Sequence, residues 1–160
     1  MPISKQLIEA DMTTWVKQHS CQNGYWLTLD APYIDNRKPD AVQFEQTLGK
    51  FAVRLNNYCY GRSFRRKEKR LHIIGSVEIG NFMDRPHAHL VVLHDADMTR
   101  SFPEVEQQAR DIWYDITGAR GNSSGNLVDI QPVGDAESRL HYAVKRFNVT
   151  SDQYCSVVTY

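Results

Sequence analysis

Three side chains that could bind a metal ion occur close together in the middle of the chain. His87 and His89 flank one alanine in the segment PHAHLVV, and Glu78 lies nine residues before His87. If both segments are strands of one hairpin, alternate residues share a face, and all three side chains point to the same side. Two imidazoles and a carboxylate suit a divalent first-row ion with open positions. The pattern predicts a site for Mn²⁺ or Mg²⁺, which could polarise a phosphate oxygen.

The apolar residues of the two segments predict a register for this hairpin. With the turn centred at Met83-Asp84, the apolar residues of one strand face those of the other and form a core face. The same register sets Glu78 directly opposite His89, with His87 one pleat away on the same side. We therefore expect the three ligands on the face away from the crossover helices.

Other interpretations of these residues remain open. A His-x-His pair is more often two surface histidines on an edge of a sheet, and the converging glutamate is what favours a metal site. His72 and His94 are weaker candidate ligands. A structural zinc ion would need four ligands, and no cysteine of this sequence has a suitable spacing.

A tyrosine and a lysine three residues apart are candidates for covalent chemistry. The segment DAESRLHYAVKRF at 135–147 places Tyr142 and Lys145 beside an apolar helical stripe. A phenol can act as a nucleophile once its proton is removed, and a lysine one turn along could favour the phenolate or hold a phosphate. Alone, the pair also fits a surface tyrosine packed on a lysine stem.

The hydrophobic pattern predicts the elements that must position these residues. Helices are expected at 4–18, at 41–60 after an N-cap at Asp40, from Pro103 to about Thr117, and at 136–147 after Asp135. Strands are expected at 24–30, 71–80, 86–93 and 127–133. From the first strand to the last, the order is βαββαβ, the split βαβ ferredoxin-like pattern. We expect an α+β fold with two helices on one face and the Tyr142 helix over the other.

The bulk composition limits the class of protein. A chain of 160 residues fits one domain, with a core at about 24–147 and a tail, 148–160, that is an extra strand or a mobile end. No apolar run approaches the roughly 20 residues that span a bilayer, so no membrane contact is expected. Three scattered cysteines suit a reducing cytoplasm. Because the net charge is zero, contact with nucleic acid must rest on a local patch.

One segment carries such a patch. Between Arg62 and Arg70 there are six cations and one anion, just before the first hairpin strand. The cations could follow phosphates while Phe64 stacks on a base, and the alternative is a solvated charged loop. The candidate DNA-contacting residues are Arg62, Phe64, Arg65, Arg66, Lys67, Lys69 and Arg70.

The motifs, taken in order, resemble those of the HUH endonucleases. Pro86-His87-Ala88-His89-Leu90-Val91-Val92 is similar to their His-hydrophobic-His strand, and Tyr142-Ala143-Val144-Lys145 resembles their tyrosine helix. Trp26-Leu27-Thr28-Leu29 is similar to the first short motif of rolling-circle replication initiators. Glu78 resembles the acidic third ligand of several viral initiators. The resemblance spans residues 24–147.

This resemblance implies a reaction on DNA. Tyr142 would attack a phosphodiester of single-stranded or cruciform DNA, while Glu78, His87 and His89 hold Mn²⁺ or Mg²⁺ and Lys145 assists. The products would be a 5′-phosphotyrosyl link and a free 3′-OH, formed by transesterification without ATP. Because nearby positions offer no second tyrosine, the chain looks like a single-tyrosine nuclease domain.

The sequence leaves the biological setting open. The first motif favours an initiator of plasmid or phage replication, acting at an origin. Because no GxxxxGK[ST] motif is present, unwinding must come from a missing domain or from elsewhere, and host helicase and polymerase are candidate partners. A single-tyrosine transposase or relaxase would use the same chemistry. Two further alternatives are a non-catalytic nucleic-acid-binding module on a ferredoxin-like sheet and a metal-dependent phosphoesterase.

Overall fold

The computed structural model describes most of the chain. The described residues are 5–18, 23–32, 40–79, 85–119, 126–136, 138–139, 141 and 155–160. The helices are α1 (Lys5–Gln18), α2 (Ala41–Tyr60), the short α3 (Arg62–Arg65) and α4 (Phe102–Thr117). The strands are β1 (Gly24–Asp30), β2 (His72–Ile79), β3 (Pro86–Leu93), β4 (Val128–Pro132) and β5 (Cys155–Thr159).

The five strands form one open sheet in the order β4-β1-β3-β2-β5. Every neighbouring pair is antiparallel. The expected α+β class is therefore confirmed, and the four strands expected from the sequence are present at nearly the expected bounds. Of the two alternatives for the tail, the extra strand is the one found, because β5 pairs with β2.

The bounds of α2 follow from local chemistry. Asp40 caps its first turn, since the side-chain Oδ1 accepts from the N–H of Val42 at 2.7 Å. Gly61 ends the helix with a φ of +53°, which glycine adopts without strain, and its N–H donates to the carbonyl of Asn57 at 2.9 Å. Both ends are where the sequence predicts them.

Helices α2 and α4 cover one face of the sheet and form the larger core with it. Trp113 of α4 lies at its centre, fully buried, with its ring edge-on to Phe44 and Phe51 at 5.7 Å each. Its indole Nε1–H donates to the carbonyl oxygen of Asp30 at 2.9 Å. This hydrogen bond therefore joins α4 to the C-terminal end of β1. The same strand also has residues on the opposite face of the sheet.

Helix α1 covers part of the other face. A smaller apolar cluster there joins Met12 of α1 to buried residues of β1, β2 and β3, with Trp15 and Ala136 packed against it. The remaining part of this face carries Glu78, His87 and His89, as the alternation of the strands predicts.

The last predicted helix begins on this same face. Ala136, Ser138, Arg139 and His141 are helical. The carboxylate of Asp135 accepts from the Ser138 hydroxyl, and the N–H of Arg139 donates to the Asp135 carbonyl at 3.1 Å. The predicted start after Asp135 is therefore confirmed. The rest of the predicted helix, with Tyr142 and Lys145, lies outside the described residues.

The predicted hairpin register is wrong by two residues. Glu78 lies opposite His87 rather than His89, and His89 lies opposite Ser76. The midpoint of the observed pairing lies one residue earlier in the sequence than the midpoint of the predicted one. Because side chains alternate with a period of two, a shift of two residues leaves every side chain on its predicted face. The ligands therefore still converge, in a different pairing.

Candidate metal centre

Three candidate ligands come together on the face of the sheet that α1 partly covers, in the part that α1 does not reach. They are Glu78, His87 and His89. One candidate ligand atom from each of the three lies within 4.8 Å of the other two. The Nε2 of His87 is 3.5 Å from the Glu78 Oε2, and the two imidazole centroids are 5.1 Å apart at 80°. Three ligand atoms this close together can share one ion.

The burial of the site favours a cation. Glu78 is only 4% exposed, and a buried carboxylate is costly unless a positive charge or hydrogen bonds compensate it. His87 and His89 are half-buried. Two imidazoles with one carboxylate fit a divalent first-row ion and leave coordination positions for oxygen atoms of a substrate. The residues present therefore fit a divalent metal.

Strand β1 supplies three further side chains to this face. Thr28 lies opposite His89, and its Oγ1 is 3.2 Å from the His89 Nδ1. Trp26 stacks on the His89 ring, with centroids 5.5 Å apart and planes 10° from parallel. Asp30 lies opposite His87 and is half-buried. Sequence reasoning missed these contacts, although the alternation of Trp26, Thr28 and Asp30 in β1 signals a shared face.

Asp30 adds negative charge to the face. Burial raises the pKa of its carboxyl above the ordinary value, whereas His87 and Arg85 oppose that rise. With Glu78, this places two carboxyl groups beside two imidazoles.

The helical segment after Asp135 borders the same site. The guanidinium carbon of Arg139 lies 5.5 Å from the Trp26 ring centroid, on the indole that stacks on His89. The chain therefore passes over the neighbourhood of the ligands just before Tyr142, whose own position lies outside the described residues.

The two weaker candidate ligands do not join the group. His94 lies on the core side of the sheet, where its ring stacks on Tyr25 at 5.3 Å. His72 is on the same face as the candidate ligands but at the opposite end of β2 from Glu78, with its ring 6.2 Å from that of Trp15. Among the described residues, the group of potential ligands is Glu78, His87 and His89.

The basic segment from Arg62 to Arg70 contributes most of the residues that line a groove, whereas one alternative from the sequence was a solvated charged loop. Part of it is the short helix α3, and Lys69 makes an ion pair with Asp97. The groove has a volume of about 750 Å³ and is lined by Phe64, Arg65, Lys67, Glu68, Lys69, Arg70, His72 and Asp95. Arg62 and Arg66 are exposed but are not part of this lining. His72 precedes Glu78 by six positions along β2, a span of about 20 Å at the usual rise of a strand.

Comparisons with known proteins found no match for this chain. The chain matches no protein-family model, no curated protein and no solved structure. Among the described helices, none is both long enough and apolar enough to span a membrane.

Proposed function

We propose that this chain nicks and rejoins single-stranded DNA by a metal-assisted attack of Tyr142 on a phosphodiester. The observation that carries the proposal is the convergence of Glu78, His87 and His89 within 4.8 Å. A second observation supports it: the helical segment that leads to Tyr142 begins on the same face, with Arg139 over Trp26. Both observations agree with the order of the sequence motifs, which resembles the order in the HUH endonucleases.

The proposed fold agrees with this activity. The elements β1, α2, β2, β3, α4 and β4 follow the βαββαβ order, and α2 and α4 share one face. We therefore propose the split βαβ ferredoxin-like arrangement, extended at one edge by β5. Such a sheet leaves one face open for a site, which is the face that bears the three ligands.

In the proposed reaction, each residue has a defined task. Glu78, His87 and His89 would hold a Mn²⁺ or Mg²⁺ ion, and such an ion would supply Lewis-acid chemistry at a non-bridging phosphate oxygen. The Tyr142 oxygen forms a bond to phosphorus as it gives up its proton, and Lys145 favours the phenolate. The bond from phosphorus to the 3′ oxygen breaks, and that oxygen takes up a proton. The 5′-phosphotyrosyl link can later be attacked by a 3′-OH, which rejoins the strand.

The proposed partner is single-stranded or cruciform DNA at the replication origin of a plasmid or phage. The proposed location of the reaction is the cytoplasm. Arg65, Lys67 and Arg70 offer contacts for phosphates in the basic groove, which His72 also lines, about 20 Å along β2 from Glu78. The given sequence has no nucleotide-binding loop of the GxxxxGK[ST] kind, so unwinding would come from a further domain or from another protein, with host helicase and polymerase as candidates. A transposase or relaxase would share the chemistry.

The test is the formation of a covalent adduct. A labelled pool of random-sequence single-stranded oligonucleotides is incubated with the protein and Mn²⁺ and separated on a denaturing gel. We expect a shifted adduct that is lost with a chelator and in Tyr142→Phe, and that persists in the control Tyr58→Phe. Tyr58 is a suitable control because it lies in α2, on the other side of the sheet, beneath Arg100.

Two results would contradict the proposal in different ways. Binding of the pool without any adduct would indicate a non-catalytic nucleic-acid-binding module. Metal-dependent hydrolysis that persists in Tyr142→Phe would indicate a phosphoesterase in which water is the nucleophile.

A further inference from the structure

Among the described residues, Thr28 and Trp26 contact His89 without being candidate ligands. The register of β1 against β3 sets Thr28 opposite it, with Oγ1 3.2 Å from Nδ1. Trp26, two residues earlier on the same face, stacks on the ring at 5.5 Å with planes only 10° from parallel. The hydroxyl meets the edge of the imidazole and the indole covers its face, so the two contacts restrain the ring in different directions.

The contact with Thr28 has two chemical forms. A neutral imidazole carries one N–H and one lone pair. If Nε2 carries the hydrogen, the hydroxyl donates to Nδ1, and Nε2 cannot bind a metal. If Nδ1 carries the hydrogen, it donates to the hydroxyl oxygen, and the Nε2 lone pair is available. The tautomer in which His89 makes this hydrogen bond therefore decides whether its Nε2 is available as a ligand.

We propose that Thr28 is a positioning residue that holds His89 in the Nδ1–H tautomer, so that Nε2 binds the metal ion. Trp26 keeps the ring plane in place, and Arg139, 5.5 Å from the centroid of the indole, restrains Trp26 in turn. The inference rests on the proposed metal centre. It gives the segment Trp26-Leu27-Thr28 a physical task, because residues two apart on β1 share the face that bears the ligands.

The positioning also separates the roles of the two histidines. His87 has a carboxylate oxygen of Glu78 3.5 Å from its Nε2, and His89 has a neutral hydroxyl at its Nδ1. A hydroxyl that accepts a hydrogen bond orients an imidazole without adding charge to it. Thr28 therefore sets geometry at the site while leaving its net charge to Glu78 and Asp30.

The first experiment measures metal binding by the whole chain rather than its activity. Mn²⁺ affinity is followed by electron paramagnetic resonance, and the visible absorption of bound Co²⁺ reports the ligand geometry. In Thr28→Val, which keeps the shape but removes the hydroxyl, we expect roughly 10- to 100-fold weaker binding, as for other partners of metal-bound histidines. The Co²⁺ spectrum should change, and Thr28→Ser should restore both properties.

The matched control is Thr47→Val. The Thr47 hydroxyl donates to the carbonyl of Gln43 within α2, on the other side of the sheet, at 2.8 Å. We expect wild-type metal binding in this variant. If Thr28→Val binds Mn²⁺ as tightly as the wild type, with the same Co²⁺ spectrum, the positioning role is wrong while the metal centre stands. If the wild type itself binds no metal, the metal centre and this inference both fall.

A second measurement needs no variant and so does not depend on the folding of one. Long-range proton–nitrogen NMR of the metal-free wild type reports which ring nitrogen of each histidine is protonated. We expect Nδ1 to be protonated in His89 at a pH at which the ring is neutral. Protonation at Nε2 instead would overturn the proposal.

Discussion

Among the three candidate ligands, Glu78 is the one whose burial most favours a bound cation. Its carboxylate is almost fully buried beside His87. Bringing a negative charge into a place of low dielectric constant opposes folding, and a bound cation offsets that cost. Metal binding at this site should therefore be visible as a gain in the stability of the fold.

We predict that Mn²⁺ raises the unfolding temperature of the protein through Glu78. A ligand that binds only the folded state at 100 times its Kd stabilises it by about 2.7 kcal/mol. Thermal unfolding followed by circular dichroism with and without Mn²⁺ should show this shift in the wild type, and Glu78→Gln should lose it. His72→Gln, on the same face but outside the group, is the control that should keep it. Equal shifts in both variants would place the ion elsewhere.

A second prediction at the residue scale concerns Cys59. Burial raises the pKa of its thiol from the ordinary 9.0 to about 12, so the folded state keeps a proton that the unfolded state loses between pH 9 and 12. The contribution of this thiol to stability is thus complete below pH 9 and declines as the pH rises towards 12. At pH 8 the reactive thiolate is therefore scarce in the folded protein.

The measurement for Cys59 is alkylation at pH 8 in a Cys21→Ser, Cys155→Ser background, read by mass spectrometry. We expect almost no labelling in buffer and complete labelling in denaturant. Fast labelling in buffer would show that the thiol is accessible, in contrast to its 8% exposure.

The sequence predicted that the three candidate ligands converge, but not the contacts that support them. Glu78, His87 and His89 follow from residue type and alternation alone, which are local properties. The contacts of Thr28 and Trp26 with His89 depend on how β1 pairs with β3, strands that are more than fifty residues apart in the chain. No local pattern specifies such a pairing, so those contacts appear only with the structure.

At the scale of the elements, the close approach of β2 and β3 depends on Gly75. A Cβ built there would overlap the backbone carbonyl oxygen of His89 and lie 2.9 Å from the Leu90 Cα. A side chain cannot be placed at this position unless the two strands separate. Because His89 is one of the neighbours, any such separation would also move a ligand.

We therefore predict that Gly75→Ala lowers both the stability of the fold and its Mn²⁺ affinity. The matched control is Gly49→Ala within α2, where a Cβ would meet only the Tyr160 ring at an ordinary 3.6 Å. Alanine in a helix interior is favoured over glycine by up to about 1 kcal/mol, so this variant should be as stable as the wild type or more so. Urea unfolding and Mn²⁺ titration measure both effects. A Gly75→Ala protein with wild-type stability would contradict the steric argument.

The register shows why elements are easier to predict than their pairing. Periodicity fixed the strands and their faces, because each strand carries its own alternation. The offset between β2 and β3 depends on the turn between them, and apolar residues occur at alternate positions of both strands. Pairings that differ by two residues therefore bury similar faces, and the sequence did not distinguish between them.

At the scale of the whole molecule, charge is balanced but unevenly distributed. The net charge is zero, yet Arg65, Lys67, Lys69 and Arg70 line a single groove. The Lys69–Asp97 ion pair offsets one of these charges. Attraction of a nucleic acid would therefore be local to this groove and would weaken as salt screens it.

We predict that Arg65→Ala combined with Lys67→Ala weakens binding of single-stranded DNA and makes it less sensitive to salt. Each phosphate contact contributes about −0.7 to the slope of log K against log salt for a single strand. Two lost contacts should therefore flatten the slope by about 1.4. The control, Lys50→Ala combined with Arg54→Ala on the outer face of α2, removes the same number of charges. Fluorescence anisotropy at several salt concentrations measures the slope, and an equal change in both double variants would exclude the groove as the contact.

Strand β5 has a consequence for the segment that contains Tyr142. His141 is the last described residue of the segment after Asp135, and the described chain resumes at Cys155, which pairs with Glu78 where β5 lies against β2. The residues between these two points, Tyr142 among them, are therefore connected to the sheet on both sides. The entropy of holding a chain segment at both ends changes only with the logarithm of its length, about 0.6 kcal/mol per doubling. In the proposed reaction, the segment between His141 and Cys155 could therefore be considerably longer or shorter at little cost in closure entropy, while Tyr142 stays within reach of the ion.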